Sequence, residues 1–253
     1  MQNDAIDQGQ SFDWGRASKE YAKYRDIYPP ALYEKLLVLG VGVPGSSWLD
    51  LGTGTGVLPR ALASHGADIT ATDISGEMIA EAEALSAGVP NIRYLCCPAE
   101  QSDLPAHAFD AITACMCFWY FDPAYIVPEI RRLVKPGGIF VKIYMSWLQE
   151  DPIAARSHAL VKRLNPNWTS GSPTVKDLAT HYFDDPVKDS FIADLSFTRE
   201  SWHGRLLACR GVKGSMDEDT FTRFEDGHRA LLEDLPEPFT VRHKIFITAY
   251  YLR

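Results

Sequence analysis

Three closely spaced glycines and an aspartate stand where an α/β protein binds its ligand. Gly52, Gly54 and Gly56 directly follow a short apolar segment, and Asp73 comes about twenty residues further on. Glycine lets the backbone turn tightly and lets a ligand approach without a Cβ in the way, while a following helix offers free N–H groups. An acid at this distance is placed to accept hydrogen bonds from ribose hydroxyls. The pattern predicts a nucleoside-binding site.

Asp50 is a second acid beside these glycines. It lies at the end of a segment predicted to be a buried strand, where a carboxylate is costly unless it is hydrogen-bonded. We therefore expect Asp50 to accept hydrogen bonds from the N–H groups of the glycine loop or to face an ammonium group of the ligand.

The glycine spacing separates two classes of nucleotide enzyme. The dinucleotide fingerprint G-x-G-x-x-G would place its third glycine at the position of Val57, whereas this chain has G-x-G-x-G. The spacing argues against a nicotinamide-dependent oxidoreductase, which remains an alternative at this point.

The elements around the loop predict an α/β, doubly wound fold. Strands alternate with helices at a spacing that requires a mostly parallel sheet with right-handed crossovers. The predicted strands are SSWLDL at 46–51, then 68–72, 91–96, 109–115 and 139–144, with helices at 57–66, 76–87 and 123–134.

The alternation of strands and helices ends after Trp147. This change predicts a helical cap inserted before the last two strands. We expect a strand at 190–197, a helix at 199–210, a helix capped by Ser215 and Glu218, and a closing strand at 239–252. The predicted organisation is N-terminal lid helices at 1–45, a cofactor-binding core at 46–147, a cap and substrate region with the sixth strand at 148–235, and a final strand at 236–253.

The composition and charge of the chain limit the classes of partner that we expect it to bind. The formal net charge is −8, and no cluster of lysine and arginine exceeds two residues, so nucleic acid is not expected as a partner. The longest apolar stretch is too short for a bilayer span and the polar start is unlike a signal peptide, so we expect no membrane association and a cytoplasmic protein. Five cysteines without a CxxC pair predict no metal site. A monomer or a homodimer is expected.

Several motifs in order resemble those of the class I S-adenosylmethionine-dependent methyltransferases, which have a Rossmann-like seven-stranded sheet. The first motif of that family is similar to LDLGTGTG at 49–56, and its ribose-binding acid matches Asp73. The further matches are PAE at 98–100 with LP at 104–105, FDAI at 109–112 and LVKPGG at 133–138.

The resemblance implies S-adenosylmethionine as cofactor and S-adenosylhomocysteine as product. The residues that it implies for cofactor binding are Tyr21, Arg25, Asp50, Gly52, Thr53, Gly54, Gly56, Asp73, Ile74, Met78, Ala99, Glu100 and Cys115.

Two outer segments resemble small-molecule members of the family that are similar to trans-aconitate methyltransferase. One is YAKYR with Tyr28-Pro29, and the other is CFWYFD at 117–122, where Trp119 stands at the position of those relatives' histidine. The predicted substrate-pocket residues are Tyr24, Tyr28, Trp119, Tyr120 and Trp202. His203 and Tyr144 are the candidate catalytic residues.

Methyl transfer from a sulfonium needs positioning more than a metal, and a general base helps only where the acceptor keeps a proton. The resemblance therefore implies transfer of a methyl group to an oxygen, nitrogen or carboxylate of a small molecule. The alternatives are an NAD(P)-dependent oxidoreductase and a non-catalytic cofactor-binding protein.

Overall fold

The structure is a computed structural model that describes residues 6–169 and 181–253. Within these ranges seven strands form one sheet in the order β3-β2-β1-β4-β5-β7-β6. Their bounds are β1 Ser47–Leu51, β2 Asp68–Asp73, β3 Ile92–Cys96, β4 Phe109–Cys115, β5 Val134–Trp147, β6 Val187–Phe197 and β7 Phe239–Tyr251.

The sheet is mostly parallel, which confirms the predicted fold class. The pairs β1–β2, β1–β4, β2–β3 and β4–β5 are all parallel. Strand β7 runs the other way along β5, since the Leu252 amide donates to the Gly138 carbonyl while the Leu148 amide donates to the Arg242 carbonyl. Because β1 and β2 are parallel, their carboxyl ends meet at the same edge of the sheet, and this brings the glycine loop beside Asp73.

Eight α-helices occur in the described ranges. They are α1 Ser18–Tyr24, α2 Pro30–Val38, α3 Val57–Leu62, α4 Gly76–Leu85, α5 Pro123–Leu133, α6 Pro152–Leu164, α7 Arg199–Leu207 and α8 Glu218–Leu232. Capping side chains begin several of them, because an Asp or Ser oxygen accepts a backbone N–H group that has no partner within the helix. Asp122 caps α5, Asp151 caps α6 and Ser75 caps α4.

Several predicted boundaries were wrong. Asp217 caps α8 in place of the predicted Ser215, because the Asp217 carboxylate accepts the Thr220 amide. Strand β5 begins directly after α5 and includes the Pro-Gly-Gly segment that was predicted to be a turn, since Gly137 and Gly138 exchange backbone hydrogen bonds with Leu252. The order of elements after Trp147 follows the prediction, because two helices, α7 and α8, lie between β6 and β7.

The chain divides into two compact units, each with its own core. Among the residues that the structure describes, the first unit comprises 6–27, 146–169 and 192–244, and the second comprises 28–145, 181–191 and 245–253. The core of the second unit includes Leu49, Leu51 and Phe140, from the centre of the sheet. The core of the first unit is rich in aromatic side chains, among them Trp168 and Trp202.

Candidate active site

The glycine loop of the second unit connects β1 to α3 in a left-handed backbone conformation. The φ angles of Gly52, Gly54 and Gly56 are 61°, 58° and 73°. A Cβ on Gly52 would lie 2.8 Å from the Cys117 side chain, and one on Gly56 would collide with the Tyr94 hydroxyl. Side chains at these positions would therefore be strained by both conformation and packing, which explains the glycines before any ligand is considered.

Asp73 ends β2 and holds the loop in place. Its Oδ2 accepts the Gly54 amide at 2.9 Å and its Oδ1 accepts the Ser75 amide at 2.9 Å. Burial raises the pKa of Asp73, although these two backbone hydrogen bonds lower it. Each carboxylate oxygen keeps further acceptor capacity, so the side chain can still receive hydroxyl donors from a ligand.

Asp50 is buried in a network of hydroxyl groups. Its Oδ1 accepts the Thr113 hydroxyl at 2.6 Å and its Oδ2 accepts the Thr53 hydroxyl at 2.7 Å, while Trp48 Nε1 donates to Thr113 at 2.8 Å. These contacts correct the expectation that loop N–H groups would satisfy Asp50. The loop amides bond elsewhere, with that of Thr53 donating to the Thr72 carbonyl.

Two acids concentrate negative charge at this edge of the sheet. Burial raises the pKa of Asp50 to about 6, and the charge of Asp73 makes a smaller contribution to this shift. A cationic ligand group would relieve this repulsion, whereas the phosphates of a dinucleotide would add to it. The charge therefore fits a ligand that carries ammonium and sulfonium groups.

Asp50→Asn should make the ligand-free protein more stable at pH 7.5. A folded-state pKa of about 6 lies above the ordinary value of 3.8, so this carboxyl contributes most to stability at low pH, and that contribution is lost as pH rises through about 6. The neutral amide avoids the buried charge, and the gain should reach up to about 3 kcal/mol. Urea unfolding of the variant and the wild type at pH 7.5 and pH 4 measures it. A variant less stable than the wild type at pH 7.5 would contradict this account.

Sequence reasoning missed the threonines around the loop. Thr113 of β4 is paired in register with Asp50 of β1. The signal that could have indicated this partner was a hydroxyl side chain within the otherwise apolar segment FDAITAC. The Thr55 and Thr72 hydroxyls are buried without a hydrogen-bond partner within the described ranges. Polar atoms of this kind are costly in a closed core, and they mark the loop as a place where a polar ligand is expected.

The apolar residues predicted to contact the cofactor differ in exposure. Ile74 follows Asp73 and is 55% exposed, whereas Met78 and Ala99 are buried. Glu100 accepts the Asp122 amide at 3.1 Å and so closes the turn before α5. Of Ile74, Met78 and Ala99, Ile74 is the one whose side chain is open to a ligand.

Aromatic residues line the ends of β4 and β5 in the same unit. Trp119 stacks on Tyr144 with ring centroids 5.0 Å apart, and Tyr120 packs against Trp119. The Cys115 thiol donates to the Tyr28 hydroxyl at 3.3 Å. The second unit thus contains the glycine loop, both acids and these predicted pocket residues.

The first unit contains the other predicted site residues, Tyr21, Tyr24, Arg25, Trp202 and His203. Arg25 is buried, donates to the Tyr21 hydroxyl at 3.4 Å and lies 4.8 Å from the centroid of its ring. The Tyr24 hydroxyl donates to Glu200 at 2.9 Å.

His203 belongs to a buried chain of hydrogen bonds that fixes its tautomer. The Ser157 hydroxyl donates to the Ile153 carbonyl at 3.0 Å and accepts Trp202 Nε1 at 3.0 Å, so His228 Nε2, 2.9 Å from the same oxygen, must donate. Neutral His228 then accepts at Nδ1 from His203 Nδ1, 2.9 Å away. Neutral His203 is left with an unprotonated Nε2, which is buried without a hydrogen-bond partner within the described ranges and lies 3.8 Å from Glu225 Oε1.

His228 should make the protein sensitive to acid. Burial lowers its pKa from 6.5 to about 3, with the charge of His203 adding to the effect. The unfolded chain therefore binds the proton first, and stability falls as pH drops from about 6.5 toward 3. His228→Gln should lose less stability than the wild type between pH 7 and pH 4.5, as measured by urea midpoints. Parallel pH profiles for the two proteins would contradict the prediction.

Residues 6–169 and 181–253 lack two features, a cluster of metal-binding side chains and a membrane-spanning helix. Neither range brings three His, Cys, Asp or Glu side chains together so that they could hold a metal ion. In the same part of the chain, no helix has the length and apolarity needed to cross a membrane.

Comparison with known proteins identifies the family. A family model described as a methyltransferase domain matches residues 49–142, the segment from β1 to β5 that carries the glycine loop and both acids. An uncharacterized methyltransferase of Mycobacterium tuberculosis is 29% identical over 180 residues, covering 63% of this chain and 71% of the relative. Residues 49–142 form a methyltransferase domain of the class I S-adenosylmethionine-dependent type. This domain does not favour the oxidoreductase alternative.

Further relatives of this methyltransferase include named enzymes. A ubiquinone biosynthesis O-methyltransferase of Sodalis glossinidius is 27% identical over 203 residues, covering 70% of this chain and 79% of the relative. A protein of the same name from Pseudomonas aeruginosa is 33% identical over 146 residues, covering 56% of this chain and 60% of the relative. The narrower likeness to trans-aconitate methyltransferase stays a prediction.

A solved structure supports the fold of the methyltransferase. A protein of Anaeromyxobacter dehalogenans assigned as a type II methyltransferase superposes with a TM-score of 0.63 at 23% identity, covering 89% of this chain and 97% of that one. At this identity the likeness shows the Rossmann-like fold.

Proposed function

We propose that this methyltransferase transfers a methyl group from S-adenosylmethionine to an oxygen, nitrogen or carboxylate of a small molecule. The observation that carries the proposal is the pair of acids, Asp50 and Asp73, at the glycine loop, with Asp50 buried at a pKa of about 6. When bound, the cofactor supplies an activated methyl group on a sulfonium.

Different residues at the glycine loop are proposed to contact different parts of the cofactor. Asp73 would accept the ribose hydroxyls, because the Gly54 and Ser75 amides fix its carboxylate and leave acceptor capacity. Asp50 would face the cationic end. The exposed Ile74 side chain would cover an apolar ring face, since it lies directly beside Asp73. The other predicted cofactor contacts, which include Thr53, Gly52, Gly56, Cys115 and Glu100, remain part of this proposal.

The acceptor side of the proposal uses aromatic residues and two candidate catalytic groups. Trp119, Tyr120 and Tyr28 of the second unit are proposed as substrate-pocket residues. Tyr24 and Trp202 of the first unit remain proposed substrate-pocket residues as well. Tyr144 and His203 are proposed to act on the acceptor proton, and the unprotonated Nε2 of His203 suits that role. The ubiquinone biosynthesis O-methyltransferases among the relatives favour an oxygen acceptor. The chain is proposed to work as a monomer or a homodimer on a small molecule rather than on nucleic acid.

A product screen tests the proposal. The protein is incubated with S-adenosylmethionine and panels of small acids, phenols and amines, and S-adenosylhomocysteine release is measured by mass spectrometry. Release that depends on one class of acceptor supports the proposal. Cofactor binding without release for any acceptor class would favour the non-catalytic alternative.

A further inference from the structure

Two buried arginines in the first unit have opposite surroundings. Arg210 forms a bidentate pair with Asp7, with Nε 2.6 Å from Oδ2 and Nη2 2.8 Å from Oδ1. Arg205 is equally buried, yet within the described ranges its partners are the Cys209 sulfur at 3.2 Å and the Trp147 ring at 5.3 Å. A buried guanidinium without a carboxylate is costly, so Arg205 is expected to have a use that the ligand-free protein does not show.

Unpaired polar atoms cluster around Arg205. Arg205 Nε, Trp147 Nε1 and His243 Nε2 are all buried and have no hydrogen-bond partner within residues 6–169 and 181–253. The three side chains are neighbours, because Trp202 packs against Trp147 at 5.7 Å and against His243 at 6.3 Å while Arg205 lies over the Trp147 ring. Two donors and an imidazole thus share one region of the first unit.

Arg205 forms no ion pair with a carboxylate within the described ranges, whereas the charge of Asp151 acts on His243 and raises its pKa. Burial lowers the pKa of Arg205 to about 10, with the positive charge of Arg25 as the next cause. Burial also lowers the pKa of His243 to about 4, and Arg205 adds to that effect. A water molecule could satisfy the donors but would leave the charge unbalanced, whereas an oxyanion would do both.

We propose that Arg205, Trp147 and His243 of the first unit bind an oxyanion, the carboxylate or phosphate of an acidic small molecule. The inference goes beyond the proposed function, because it assigns a ligand class to residues of the first unit alone. The anion would accept hydrogen bonds from Arg205 Nε and Trp147 Nε1. His243 donates at Nδ1 to the Val241 carbonyl at 3.0 Å, so its Nε2 becomes a further donor once an anion favours its protonation.

The sign of a stability change separates a binding role for Arg205 from a structural one. Arg205→Met should raise the melting temperature of the ligand-free protein, because it removes a buried charge that no carboxylate balances. The matched control, Arg210→Met, should lower it, because that change leaves Asp7 buried without its partner. A fall in melting temperature for both variants would overturn the proposal.

Probe binding tests the ligand class directly. Phenylacetate, phenyl phosphate and neutral phenylacetamide are titrated into the wild type, Arg205→Met and Arg205→Lys with S-adenosylhomocysteine present. We expect one or both anions to bind the wild type, the amide to bind at least tenfold more weakly, and the anion affinity to fall at least tenfold in Arg205→Met. Arg205→Lys, which keeps the charge but loses the Nε donor, should bind the anion with intermediate affinity.

The two anionic probes distinguish a carboxylate from a phosphate source, and the cofactor serves as a separate readout. Anion binding that is equal in the wild type and both variants would overturn the proposal, as would loss of S-adenosylhomocysteine affinity in place of anion affinity in Arg205→Met. Failure of the wild type to bind S-adenosylhomocysteine would instead contradict the proposed function. The two failures can therefore be told apart.

Discussion

Asp7→Ala should destabilise the protein by about 3–5 kcal/mol, the cost of removing one partner of a buried ion pair. The Asp7 carboxylate accepts both Arg210 donors and also the Thr169 amide at 2.8 Å and the Thr169 hydroxyl at 2.9 Å. The alanine would remove both of these Arg210 contacts and leave the buried guanidinium without the Asp7 carboxylate. Urea unfolding at pH 7.5 measures the change in free energy.

An exposed ion pair of the same unit provides the control for Asp7→Ala. Glu200 lies 2.9 Å from Lys23, and both side chains are mostly exposed. Glu200→Gln should therefore change stability little, because water screens such pairs. Similar losses for Asp7→Ala and Glu200→Gln would show that the Asp7 pair does not hold the N-terminal segment in the first unit.

Asp73→Ala should weaken S-adenosylhomocysteine binding by about 1–3 kcal/mol, or roughly 5-fold to 150-fold. The loss has two sources, the hydrogen bonds to ribose and the anchoring of the loop through the Gly54 amide. Asp73→Asn should lose less, because the amide oxygen can still accept one of the two backbone donors. Calorimetric titration of each variant measures the affinities.

Asp68 at the opposite end of β2 is the matched control for Asp73. It is exposed and lies at the start of the same strand, so Asp68→Ala should bind S-adenosylhomocysteine like the wild type. Unchanged affinity in Asp73→Ala would place the nucleoside elsewhere, even if both variants remain folded.

The order of strands and the place of the loop could be predicted because they follow from local patterns. Local signals of a few residues each mark the apolar strand before Gly52, the alternating strand that ends at Asp73 and the helix between them. The right-handed crossover rule then fixes how these elements are arranged in the sheet. The seven-stranded, mostly parallel sheet is confirmed.

The network around Asp50 could not be predicted because it depends on strand register. Thr113 is distant in the chain and meets Asp50 only once β1 pairs with β4. Long-range pairs of buried groups have no local signal, and the contacts of Asp7 with Arg210 were missed for the same reason. The capping error at Ser215 differs, since Asp217 was a competing cap two residues away.

Calorimetric titration of the purified wild type with S-adenosylhomocysteine and, separately, with NADH is the most direct test of the nucleoside site. The two acids at the glycine loop favour the ligand that carries an ammonium group over the one that carries two phosphates. We predict saturable binding of S-adenosylhomocysteine at one site per chain and no binding of NADH at the same concentrations. Binding of NADH in preference to S-adenosylhomocysteine would contradict the assignment of the loop.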